Sequence, residues 1–152
     1  MNATFKRLSD HREVDLIPYV QELITGVEDV KIYIGTDSQT NGAWTQYATV
    51  IVLHWGNRGA SVLYAKERLP RINDMFTRLW NEVERSIQAA EFMVNSGLPR
   101  ANYIDLDYNP DPKYNSNSIL RSAVGYVESM GYEARVKPEA IIASSCADTV
   151  CH

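Results

Sequence analysis

The order in which the hydrophobic period changes along the chain constrains the fold more than any other feature. Over residues 30–34, Val30, Ile32 and Ile34 alternate with Lys31 and Tyr33, and residues 44–55 and 61–69 are rich in Val, Tyr, Thr and Trp. All three runs read as strands. Gly56-Asn57-Arg58-Gly59 joins the second to the third as a hairpin turn, so the sheet starts antiparallel. The period then lengthens over residues 72–96, where Met75, Leu79, Val83, Ile87, Ala90 and Val94 recur three or four apart until Gly97. That pattern is a long amphipathic helix. Beyond it the two periods alternate: a strand over 103–107, a helix over 118–130 stopped by Gly131, a strand over 132–136, and a last helix opened by Pro138 and running to Val150. A short helix over residues 15–26, with Pro18 in its first turn and Gly26 as its stop, precedes the whole series.

Helices that alternate with the later strands act as right-handed crossovers, which makes the fourth and fifth strands parallel to the first. The expectation is an α/β fold with a mixed five-stranded sheet, βββαβαβα, flanked by helices. Residues 1–152 form a single domain, with 1–29 as an N-terminal helical cover and 30–150 as the core. A chain of 152 residues, 45% hydrophobic and 22% charged, buries a core of its own and lies far from the composition of disorder. The longest apolar stretch, residues 48–53, is far too short for a membrane span, which needs about 20 residues. No secretory signal is visible, so a cytoplasmic protein is expected. Cys146 and Cys151 are five apart and followed by His152. Their spacing suits reduced thiols and a frayed end better than a zinc site.

In an open α/β sheet, functional groups collect beyond the carboxyl ends of the parallel strands. Asp37, in Gly35-Thr36-Asp37-Ser38-Gln39, ends the first strand, and Asp105 and Asp107 share one face of the fourth. A buried carboxylate there needs a cation, a metal or several donors. The two strands offer no basic residue but Lys31. Asp148 lies on the last helix, and Glu82 and Glu84 flank the core position Val83 on the long one. Each acid also has a plain structural reading. Asp37 caps a turn, Glu82 pairs with Arg78 one helical turn away, and Asp148 caps the chain end.

The segments Gly35-Thr36-Asp37-Ser38-Gln39, residues 79–83, Tyr103-Ile104-Asp105-Leu106-Asp107, and Lys137-Pro138 leading to Ala143-Ser144-Ser145-Cys146-Ala147-Asp148 resemble the YkuK-type branch of the ribonuclease H-like superfamily. The resemblance spans roughly residues 30–150. It implies a nuclease that hydrolyses phosphodiester bonds by a two-metal-ion mechanism. Carried over position by position, it implies Asp37, Glu82, Asp105 and Asp148 as catalytic metal ligands, with Glu84 in reserve for Glu82 and Asp107 as an extra ligand. The cofactor implied is Mg²⁺ or Mn²⁺, two ions about 3.5–4 Å apart whose charge four carboxylates neutralise. Asp37 is the natural bridge, Asp105 and Glu82 favour one ion, and Asp148 favours the other. Lys137 and Ser144 stand where some ribonucleases H carry a histidine. With Ser38, Gln39, Lys113, Asn115 and Asn117 they are the expected substrate contacts.

The partner implied is nucleic acid, whether RNA, DNA or their hybrid, and a homodimer is in keeping with junction-cleaving relatives of the fold. The net charge of −4, from 15 basic against 19 acidic residues, says little against that partner if four of the acids hold metal. Lys66, Arg68 and Arg71, near Trp44, Tyr47 and Tyr64, offer phosphate contacts and stacking rings. Two alternatives stand beside the nuclease: a non-catalytic interaction or nucleic-acid-binding module, and a metal-dependent phosphatase acting on a small phosphate ester.

Overall fold

A computed structural model of the chain describes residues 3–55, 59–107 and 117–136. The long strands fall where the period-two runs lie: β3 (Lys31–Asn41), β4 (Trp44–His54) and β5 (Ala60–Pro70), preceded by β1 (Phe5–Arg7), β2 (Glu13–Val14) and α1 (Leu16–Ile24). They are followed by α2 (Met75–Asn95), β6 (Tyr103–Leu106), α3 (Asn117–Ser129) and β7 (Ala134–Val136). The sheet runs in the order β2-β1-β5-β4-β3-β6-β7. β3, β4 and β5 pair antiparallel, from Asn41↔Trp44 and Trp44↔Pro70 at one end to Lys31↔His54 and His54↔Ala60 at the other. β6 runs parallel to β3, and β7 parallel to β6, as the crossover rule requires.

The described sheet has seven strands rather than five, and the N-terminal segment is not purely helical. β5 would otherwise be a bare sheet edge, with a row of unpaired N–H and C=O groups. β1 covers that edge through Lys6↔Tyr64 and Arg7↔Leu63, and β2 pairs with β1 in turn. Three residues with two positive charges carry no readable strand period. What holds them is the open edge of β5 and the burial of Phe5. The hairpin turn at residues 56–58 and the last helix at 138–150 lie outside the described residues.

Alternation gives the sheet two different faces. Ile32 and Ile34 join Ile51, Leu53 and Leu63 on one face, against Leu79, Val83, Ile87 and Ala90 of α2. Tyr33, Ala48, Val50, Val52 and Tyr64 form a separate cluster on the other. α2 starts at Asp74, whose carboxylate accepts from the Thr77 N–H at 2.9 Å as an N-cap. The helix reverses at Gly97, where φ is +92°. Mid-helix, Ser86 meets Thr36 at 2.8 Å, and the Thr36 hydroxyl donates to Thr49 Oγ1 at 3.2 Å. This buried hydroxyl chain sets how far α2 is rotated over β3. Asn102 sets the register of β6: its N–H donates to Ile32 O at 2.8 Å, and its side-chain oxygen accepts from Ile32 N at 2.8 Å.

Candidate active site

With that register Gly35 stands opposite Asp105, and two residues further along both parallel strands come Asp37 and Asp107. Asp107 follows the last residue of β6, whereas Asp37 does not end its strand as the sequence predicts: β3 continues to Asn41 because it stays paired with β4, with Asp37 opposite Ala48. The rotation that brings Ser86 to Thr36 also turns Glu82, one helical turn earlier, inward to 5% exposure. Glu82 Oε2 accepts a short hydrogen bond from the Ser38 hydroxyl. The Ser38 backbone N–H donates to Asp37 Oδ1 at 2.9 Å. One serine therefore ties the strand acid to the helix acid. Glu82, Asp105 and Asp107 line a common crevice with Thr36, Ser86 and Leu106.

The electrostatics of Glu82 follow from that placement. Burial pushes its carboxyl well above the usual carboxylate range, and the negative charges of Asp37 and Asp107 push it further. The Ser38 hydrogen bond and the positive charge of Arg78 oppose the rise without cancelling it. Arg78 is not an ion-pair partner of Glu82; its guanidinium donates to Thr40 Oγ1 at 3.3 Å. Glu84 is elsewhere, accepting from the indole N–H of Trp80 at 3.1 Å. Of the two glutamates flanking Val83, Glu82 is the one that joins the strand acids.

Asp105 has a different setting. Its side chain is fully buried and ion-paired with Arg135, Nε donating to Oδ1 at 3.1 Å and the second guanidinium nitrogen to Oδ2 at 3.3 Å. Arg135 is the register partner of Asp105 on β7. Its guanidinium lies 4.7 Å and 4.6 Å from the ring centroids of Tyr33 and Tyr103, which stack on each other at 5.3 Å. The counter-charge missing from the first and fourth strands of the sequence reading is thus supplied by the fifth. Ala134-Arg135-Val136 offers one signal of this, an arginine at the centre of a three-residue strand. Its register opposite Asp105 appears only once β6 and β7 pair.

Ser38 faces Glu82, and Gln39 follows on the half-buried end of β3. Asn117 is the first residue of α3. Lys113, Asn115, Lys137, Ser144 and Asp148 lie outside the described residues. Among the described residues, no three His, Cys, Asp or Glu side chains are placed to hold a metal ion. The donor chemistry at Asp37, Glu82 and Asp107 is all carboxylate oxygen, the type suited to Mg²⁺ or Mn²⁺.

A family model described as ribonuclease H-like matches residues 15–152. The chain belongs to the ribonuclease H-like family. No curated protein and no solved structure matches it significantly. The ribonuclease H-like match begins after β2, so five of the seven described strands lie within it, and β1 and β2 precede it. The fold is of the nuclease-like, nucleic-acid-related type. Among the described residues, no helix is long and apolar enough to cross a membrane.

Proposed function

We propose that this protein is a divalent-cation-dependent nuclease that hydrolyses phosphodiester bonds of nucleic acid. The observation that carries this reading is the link through Ser38, whose hydroxyl donates to the buried Glu82 and whose backbone N–H donates to Asp37, beside the carboxyl end of β6. Such a group of like charges is costly without a cation and favourable with one. On this reading Asp37, Glu82 and Asp107 would supply carboxylate oxygens to Mg²⁺ or Mn²⁺ together with Asp148, and they would have to draw closer to do so, since as they stand no three of the described acids are placed to hold an ion. The bound ion would supply Lewis-acid stabilisation of the phosphoryl oxygens and a water of lowered pKa. Ser38 holds Asp37 and Glu82 in mutual orientation before any ion arrives.

A labelled panel of RNA–DNA hybrid, single-stranded RNA and DNA, duplex DNA and a four-way junction, incubated with Mg²⁺ or Mn²⁺, tests the proposal. The wild type should cut at least one substrate, and Asp37→Asn should lose at least a hundredfold in rate while keeping its far-ultraviolet circular dichroism. Mn²⁺ should raise the melting temperature of the wild type, by an amount equivalent to about 2.7 kcal/mol at a hundred times Kd, and leave that of Asp37→Asn unchanged. Cleavage by the variant at the wild-type rate overturns the assignment.

The ion pair between Asp105 and Arg135 favours a second reading, a nucleic-acid-binding module without catalysis. Absence of cleavage and of Mn²⁺ stabilisation, with nucleic-acid binding retained, would select it.

A further inference from the structure

The face of the sheet that carries Asp37 also carries a set of exposed groups that the acids do not use. In the register of β3, β4 and β5, Asp37 lies in one row with Ala48 and Lys66, Gln39 in the next with Gln46 and Arg68, and Asn41 in the last with Trp44 and Pro70. Residues two apart share a face. Asp37, Gln39, Gln46, Trp44, Lys66 and Arg68 therefore all point to the same side. Neighbouring strands are about 4.8 Å apart, which puts Lys66 roughly 10 Å from Asp37 across β4. Ala48 between them is buried, whereas Gln39 and Gln46 are half-exposed and Lys66 and Arg68 exposed. A polar path thus leads from the acids across the strand ends to two cations.

Three details give that path its chemistry. The Arg68 guanidinium lies 4.8 Å from the centroid of the Trp44 ring, and Trp44 remains 44% exposed. A cation held against a partly open indole can pair with a phosphate while the ring accepts a base. Glu67, between the two cations in sequence, points to the opposite side of the sheet and pairs with Arg85 at 2.8 Å. Among the described residues, Lys66 and Arg68 have no carboxylate partner. Finally, Arg71 donates to Gly42 O at 2.8 Å, and its backbone N–H to Ala43 O at 2.9 Å. These bonds hold the β3–β4 turn next to Trp44.

We propose that a single strand of nucleic acid runs from the Asp37 end of β3 over β4 to β5, its backbone on Lys66 and Arg68 and an unpaired base on Trp44. The starting point of the path rests on the nuclease reading; the path itself is tested by binding. A duplex would present its base edges and backbone but no free base face for Trp44, so the pairing of cations with an open indole favours a single strand.

The experiment is fluorescence anisotropy of labelled oligothymidine and oligouridine with the full chain in EDTA, across a salt series, with duplex DNA as a comparison. Lys66→Ala/Arg68→Ala should bind about tenfold more weakly, with a salt slope lower by about 1.4, the value for two lost single-strand phosphate contacts. Trp44→Ala should weaken binding about tenfold, and Trp44→Phe should restore most of it, which a loss of charge alone would not do. Lys31→Ala, an exposed cation at the opposite end of the same strand as Asp37, should bind as the wild type does. Unaltered affinity and slope in the double variant, no single-strand binding by the wild type, or binding of duplex alone each overturns the path. Cleavage by a wild type whose path variants bind normally removes the path and keeps the nuclease. Path-dependent binding without cleavage removes the nuclease and keeps the surface.

Discussion

Asp105 and Glu82 are two buried acids on neighbouring elements, and the fold treats them in opposite ways. Asp105 receives a guanidinium from the adjacent strand, itself backed by two tyrosine rings. Glu82 receives a hydroxyl, with two further carboxylates close enough to disfavour its charge. The first is an acid paired with a cation inside the sheet. The second is a carboxyl whose charge burial and its acidic neighbours disfavour. Low dielectric makes both settings strong, the one as attraction and the other as repulsion. The contrast separates an acid whose charge is compensated within the sheet from one whose charge is disfavoured.

The largest expected effect lies on the paired side. Arg135→Ala leaves Asp105 buried without its cation and should cost about 3–5 kcal/mol in urea denaturation. A loss below about 1 kcal/mol would mean that the pair contributes little and that Asp105 is not committed to it.

The Glu82 side should show itself in pH dependence. Glu82 has a folded pKa raised above its unfolded value, so the stability linked to its neutral form is complete below about pH 4.3, the unfolded value. It is lost as pH rises through the folded pKa. In EDTA the wild type should fall by up to about 1.4 kcal/mol per pH unit within that window. Glu82→Gln keeps the hydrogen-bonding shape without the charge and should flatten the profile. Parallel stability–pH curves for the two proteins would break the contrast drawn here.

The smallest effect belongs to Ser38. Ser38→Ala removes the donor that holds Glu82 down and should cost about 1 kcal/mol at acid pH. It should also extend the pH-dependent decline to higher pH, because the lowering influence of the hydroxyl is gone. A variant with the wild-type pH profile would show that Ser38 does not orient Glu82.

The long elements were legible because their signals are local. The alternation of β3, β4 and β5 and the three-four spacing of α2 follow from which side chains each element buries. Helix limits shifted by only a few residues: the period over 72–96 became Met75–Asn95, since Asp74 caps it. β1 escaped notice because its strand character is borrowed from the edge of β5, far away in sequence. Among the candidate site residues, Asp37 and Glu82 were singled out by the resemblance of their segments to the ribonuclease H-like superfamily, since Glu82 and Glu84 flank the same core valine and periodicity alone does not choose between them. The partner of Asp105 was not, because no periodicity states which strand will lie beside β6.

The sequence by itself determined the order and type of the main elements and which elements carry or adjoin the acids Asp37, Glu82, Asp105 and Asp107. Tertiary structure alone decided which of those acids are paired and which lie together. Register places Arg135 opposite Asp105, while helix rotation brings Glu82 rather than Glu84 to Ser38. The physical reason is that periodicity reports burial, a property of one segment. Charge compensation depends on distances between segments that only the packed sheet establishes.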